Sequence, residues 1–216
     1  MKKSSITLML IVLFSLLLAP ALNAQGSGKQ KDTVFNKTTT TYDEKLRNQA
    51  DFPKFLKYFL EQTYFEKNFN MLLYNSDKSV TNFFHPVIGF ARATNPGAFC
   101  VLVRDSTYGL TQPAGADWPK NYISALKLFN KMPKNGFCDE SKDKNGAYYI
   151  TVKKFPEYYD HQKEKAVPYT LPAKYKSAQI MKVVLLVDKW IQKQFYFVKI
   201  DKKWYLILSE DCDCSA

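Results

Sequence analysis

An α+β fold, with N-terminal helices packed on an antiparallel sheet, is what three features of this sequence predict. Residues 51–73 repeat large apolar side chains at helical spacing, and the last third of the chain is a series of strand-like runs. Aromatic residues make up 15 %, and that much ring surface belongs in packed sheets and pocket walls rather than in a disordered chain. The helical signal is the sharpest. Phe52, Phe55, Leu56, Phe59 and Leu60 recur at three and four, with Asp51 placed as N-cap and Pro53 tolerated in the first turn. A second helical stretch, 64–73, offers Phe65, Phe69, Leu72 and Leu73 to the same core until Asn75-Ser76-Asp77 interrupts it.

Past His85-Pro86 the period changes. Residues 87–93 and 98–103 read as strands around Thr94-Asn95-Pro96-Gly97, where Pro followed by Gly suits a type II turn. A third helix is expected over 119–131, with Ile123, Leu126 and Phe129 on one face, Asp117 near its start and Pro133 closing it. Strands are expected over 147–153, 178–191, 194–200 and 204–209, the last two joined as a hairpin through Asp201-Lys202-Lys203. The run 183–187 is apolar without alternation, as a central strand covered on both faces would be. Residues 154–177 carry Pro156, Pro168 and Pro172 and show no clear period; a connection that long inside a compact domain covers something or binds something.

Residues 1–24 read as a signal peptide. Lys2 and Lys3 start it, 6–18 form an apolar run, and Leu22-Asn23-Ala24 gives a small-residue cleavage site. Gln25, not Cys, would follow the cut, so lipid attachment is not expected, and no later apolar stretch is long enough to span a bilayer. The mature protein is thus expected in the periplasm or outside the cell. Residues 25–42, polar with a four-Thr run, read as a flexible lead-in, and 43–216 as a single α+β domain of a size that buries a real core. The leader holds two lysines and no acidic residue, so its removal lowers the formal charge from +11 to +9. The lysines are scattered in ones and twos, densest at Lys163/Lys165, Lys174/Lys176 and Lys202-Lys203, which describes a solvated surface. Nucleic acid is not an expected partner.

Phe195-Tyr196-Phe197-Val198, the charged turn Asp201-Lys202-Lys203, and Trp204-Tyr205-Leu206, placed after helices and shorter strands, resemble the closing hairpin of the nuclear-transport-factor-2-like, or cystatin-like, α+β superfamily. Residues 51–73 also resemble the Phe-rich opening of exported proteins of that class. The resemblance implies a strongly curved, cone-shaped sheet wrapped on the helices, with a pocket at its wide end. It implies no one activity, because the fold hosts isomerases, dehydratases and accessory domains alike. The family's enzymes place an Asp, His or Tyr in that pocket; no set here matches one position by position, and 154–177 departs from the simplest form of the fold.

Chemistry-bearing residues are few. In an exported protein, Cys100, Cys138, Cys212 and Cys214 argue for two disulfides, of which four cysteines permit three pairings. A direct Cys212–Cys214 bond would close a very small ring, so each tail cysteine is expected to reach a different partner, or one tail cysteine pairs and the other is left free. The rival reading is thiol redox or soft-metal handling by Cys212 and Cys214, although the flanking Asp211 and Asp213 disfavour a thiolate. The spacing gives no zinc site, and two histidines more than about seventy residues apart give no multi-histidine metal site. No cofactor is expected. His85 reads as structural; Asp160 and His161, beside Tyr159, form a weak acid–base candidate. Residues 139–146 look faintly like a calcium loop, but Ser141 and Val152 fall where its anchoring carboxylates belong, so they read as an acidic turn. Trp118, Trp190, Tyr196 and Trp204 are the expected pocket-wall aromatics.

Taken together, these residues lead to an exported, non-catalytic binding or accessory domain with an aromatic-lined pocket. Its partner would be a small molecule, a peptide or an envelope protein. A small-molecule isomerase or hydratase using Asp160 and His161 is the enzymatic alternative.

Overall fold

Alternate burial along the strands sorts the chain onto two sides of one sheet. The computed structural model describes residues 51–65, 68–95, 97–105, 107–110, 126–212 and 214, all within a compact unit spanning 36–216. The leader, the lead-in, Trp118 and the first seven residues of the expected third helix lie outside the described residues.

Helix α1 (Phe52–Leu60) buries all five of its periodic apolar residues. Asp51 stands at its N-cap, but its side chain caps nothing and instead pairs with the exposed Lys54 at 3.5 Å. The helix widens into one π-helical turn (Glu61–Phe65), followed by α2 (Phe69–Tyr74) and α3 (Lys78–Thr81). Asn68 and Asp77 cap these two by accepting from Met71 N at 3.0 Å and Ser79 N at 2.7 Å. The break at Asn75-Ser76-Asp77 is real: Ser76 takes the left-handed conformation, with φ 52°.

The strands are β1 (Ala91–Thr94), β2 (Val101–Val103), β3 (Leu128–Phe129), β4 (Gly146–Val152), β5 (Glu157–Asp160), β6 (Lys165–Pro168), β7 (Gln179–Val187), β8 (Trp190–Ile200) and β9 (Lys203–Glu210). Seven form an open sheet in the order β2-β1-β9-β8-β7-β4-β3. Its centre, β9-β8-β7-β4, is antiparallel, while β1 and β3 join β9 and β4 in parallel. The protein is α+β, with a large, mostly antiparallel sheet.

One face of the sheet meets the helices. Met181, Val183, Leu185, Phe195, Phe197, Trp204 and Leu206 join the α1 residues there, with Phe59 edge-on to Phe83, Phe195 and Phe197 at 4.9–5.4 Å between centroids. The opposite, outer face carries Ile180, Tyr196, Val198 and Leu208. Two bulges keep this sorting consistent. Leu206 and Leu208, two apart, would share a face; Ile207 is the extra residue between the pairs Phe197↔Leu206 and Tyr196↔Leu208, so one lands on each side. Gln192 does the same between Leu185↔Lys193 and Leu186↔Ile191. As expected, 183–187 is buried throughout, feeding both faces in alternation.

Three sequence expectations are corrected. The stretch 126–131 is not helical: Leu128–Phe129 is a strand, brought against Gly146, where a Cβ would stand 2.5 Å from Lys127 O. The β1–β2 connection is longer than the expected four-residue turn, since Thr94 pairs with Val101, and the turn's Pro96 lies outside the described residues. The expected strand over 178–191 is split at Asp188-Lys189, a two-residue turn with φ 48° and 73°. The connection 154–177 does cover something, as expected. It forms the β5–β6 hairpin, and Phe155, Tyr158, Tyr169 and Leu171 cover the outer face of the sheet.

Candidate functional site

Polar residues on the outer face stack in two rungs. Strand register aligns Lys182, Tyr196 and Leu208 across β7, β8 and β9, and beside them Val184, Gln194 and Glu210. Glu210 ends β9 half-buried and accepts three hydrogen bonds: from Gln194 Nε2 at 2.7 Å, from the Tyr158 hydroxyl at 2.9 Å and from the Tyr196 hydroxyl at 3.4 Å. Burial, reinforced by the Glu210 charge, raises both tyrosine pKa values far above the usual phenol range, so each hydroxyl is a fixed donor. Lys182 stands over the Tyr196 ring, its Nζ 5.6 Å from the centroid. Desolvation lowers the Lys182 pKa from its ordinary value, opposed by Glu210.

Lys182, Gln194 and Glu210 floor a cavity of about 380 Å³. Met132, Pro133, Val184, Ile191 and Phe137 supply apolar walls, and Lys182, Gln194, Glu210 and Asn135 the polar groups. The loop that makes the far wall is sutured to the sheet. Gly136 O accepts from Ile191 N at 2.6 Å, Ser141 N donates to Lys189 O at 2.9 Å, and the Ser141 hydroxyl donates to Lys134 O at 2.6 Å. Asp143, in the acidic turn, accepts from Lys131 Nζ at 2.9 Å and Lys134 N at 2.6 Å, which is loop scaffolding. Gly136 sits at φ 98° with Leu186 Cδ1 2.8 Å from where a Cβ would be, so only glycine fits.

Two disulfides bind the tail: Cys100–Cys212, with Cα atoms 5.8 Å apart, and Cys138–Cys214, at 5.4 Å. Each tail cysteine does reach a different partner. No cysteine remains as a free thiol, which removes the donors that a Cys-x-Cys metal site at 212 and 214 requires. Both bridges fit an oxidising compartment. The second ties the cavity-wall loop to the residues that follow Glu210.

A separate charge cluster lies beside Cys212. The Asp211 carboxylate pairs with Arg92 Nε at 2.6 Å and Lys193 Nζ at 3.0 Å, and Lys193 also donates to Asn70 Oδ1 at 3.0 Å. Burial alone would raise the Asp211 pKa, but the two cations outweigh it and hold the carboxyl below its usual range.

Of the expected pocket-wall aromatics, Tyr196 hydrogen-bonds to Glu210 from beside the cavity and is not one of its lining residues. Trp204 is instead buried on the helix face, 4.7 Å from Phe52, and Trp190 is 39 % exposed at the start of β8, outside the cavity lining. Asp160 and His161 are not joined to one another. The Asp160 carboxylate accepts from Gln162 N, Lys163 N and Lys163 Nζ within its own turn, and the exposed His161 ring meets Tyr159 edge-on at 5.1 Å. None of the three lines the cavity. His85 is structural: its Nδ1 accepts from Val87 N and Ile88 N, and its ring packs on Tyr175 and Tyr205. Sequence reading missed Lys182, Gln194, Glu210 and Tyr158. The available signal was a polar residue breaking each of three apolar strands, but only the register puts those three together.

Comparison with protein families, with curated proteins and with solved structures finds no match. Among the described residues, no helix is long and apolar enough to cross a membrane.

Proposed function

We propose that this protein is an exported, non-catalytic binding domain whose ligand site is the outer-face cavity over Lys182, Gln194 and Glu210. One observation carries the reading: half-buried polar groups with fixed donor and acceptor roles are set in an otherwise apolar pocket whose wall is held by a disulfide. Residues 1–24 act as the signal peptide in this account, and the two bridges form after export. The fold is read as a variant of the nuclear-transport-factor-2-like, cystatin-like plan, with helices before the sheet and the β8–β9 hairpin supporting it. Cone-like curvature of the sheet belongs to this proposal, and an experimental structure with a flat sheet would overturn that part.

Native mass spectrometry of the mature protein, taken from its own secretory compartment, tests the function. The expected species begins at Gln25, lacks four hydrogens through its two disulfides and carries a non-covalent adduct. Ile191→Trp, which fills the cavity from its wall, should lose the adduct. An adduct retained by that variant, or a bare protein, would overturn the assignment of the site.

A further inference from the structure

The cavity contains one cation that no described residue meets with a hydrogen bond or ion pair. It is Lys182, whose Nζ stands over the Tyr196 ring and meets the Glu210 charge only at longer range. A half-buried ammonium facing an apolar cavity is costly unless something anionic meets it. Glu210, the acidic residue that shares the cavity lining, is already committed. Its Oε1 accepts from Gln194, and its Oε2 from Tyr158 and Tyr196. Glu210 therefore has little acceptor capacity left for a cationic ligand, whereas all three Lys182 N–H groups are open to an acceptor. The apolar walls Met132, Pro133, Val184 and Ile191 ask for a hydrocarbon body beside that acceptor.

We propose that the cavity receives an amphipathic organic anion, its acid group on the Lys182 ammonium and its apolar body against those walls. This rests on the binding reading above and adds the ligand's chemical class.

Octanoate, octanol and octylamine are the probes, titrated calorimetrically into the mature, disulfide-bonded protein and into Lys182→Met, which keeps the stem and removes the charge. Octanoate should bind the wild type about tenfold tighter than octanol, as a charge-assisted hydrogen bond in a partly desolvated site provides. In Lys182→Met octanoate should lose that advantage, and the two should bind alike. Equal affinities for octanoate and octanol in the wild type, or preference for octylamine, would overturn the anion assignment while leaving the cavity as a binding site. Binding of none of the three would overturn both. Should Lys182→Met fail to fold, the wild-type ranking decides the matter alone.

Discussion

Asp211 is the residue on which the most charge depends. Its carboxylate is 14 % exposed and faces two cations whose own side chains are 12 % and 3 % exposed, so removing it strands both in a poorly solvated place. Asp211→Ala should cost about 3–5 kcal/mol of unfolding free energy, as breaking a buried ion pair from one side does; a loss under about 1 kcal/mol in denaturant titration would contradict this account of the cluster. The same physics sets the acid response. A carboxyl held below its ordinary 3.8 contributes stability that is complete above that value and is lost as pH falls through the lower folded one. His85 acts earlier. Burial, only partly opposed by Asp201, lowers its pKa below 6.5, and protonation would end the two hydrogen bonds its Nδ1 accepts. The stability that neutral His85 gives is therefore complete above 6.5 and is lost as pH drops from there toward its folded value. Denaturation midpoints at pH 7.5 and 5.5 check this: the wild type should weaken, and His85→Asn, whose Oδ1 replaces the Nδ1 acceptor without titrating, should change much less.

At the scale of elements, what could be read from sequence was whatever depended on neighbours along the chain. Phe52 to Leu60 declare α1 through their own spacing, and 183–187 declares a buried strand by never alternating. Burial decided the rest. Leu128 and Phe129 have helical neighbours in the sequence pattern, yet they become a strand because the cleared backbone at Gly146 lets β3 lie against β4. The Lys182–Gln194–Glu210 site could not be seen, because those residues belong to three strands and meet only through register, itself altered by bulges at Gln192 and Ile207. Turns were legible where the chemistry was local, as at Asp201-Lys202, but that turn uses unfavourable residues: both sit at positive φ, 48° and 66°. Turns of this type favour Asn-Gly. Lys202→Gly should therefore stabilise the protein by about 1 kcal/mol, read as a higher denaturation midpoint, since glycine meets no Cβ penalty there. Gly136→Ala tests the converse: a Cβ placed 2.8 Å from Leu186 Cδ1 should destabilise the protein and loosen the cavity wall, and an unchanged melting temperature would show that the loop yields freely.

For the whole molecule, the two disulfides share one tail but hold different things. Cys100–Cys212 spans 112 residues and Cys138–Cys214 spans 76, so each alone would contribute about 4–5 kcal/mol on the chain-entropy argument. Their loops overlap, and the sum is smaller than the parts. Cys212 follows Asp211, whose backbone N donates to Ala93 O and whose side chain is already tied to Arg92 and Lys193, so its bridge reinforces an anchored strand end. Cys214 is different. Beyond Cys212 its bridge reaches out to the 133–138 loop, and that loop is the wall of the cavity. The two should therefore be separable by function. Replacing Cys138 and Cys214 together with Ala, so that no lone thiol remains, should weaken ligand binding several-fold while the fold, still held by Cys100–Cys212 and the Asp211 cluster, melts cooperatively. Replacing Cys100 and Cys212 should lower the melting temperature with the cavity's affinity little changed below the transition. Calorimetric melting and probe titration of both double variants decide it: if binding and stability fall in the same proportion in each, the tail is one undivided staple and the wall has no tether of its own.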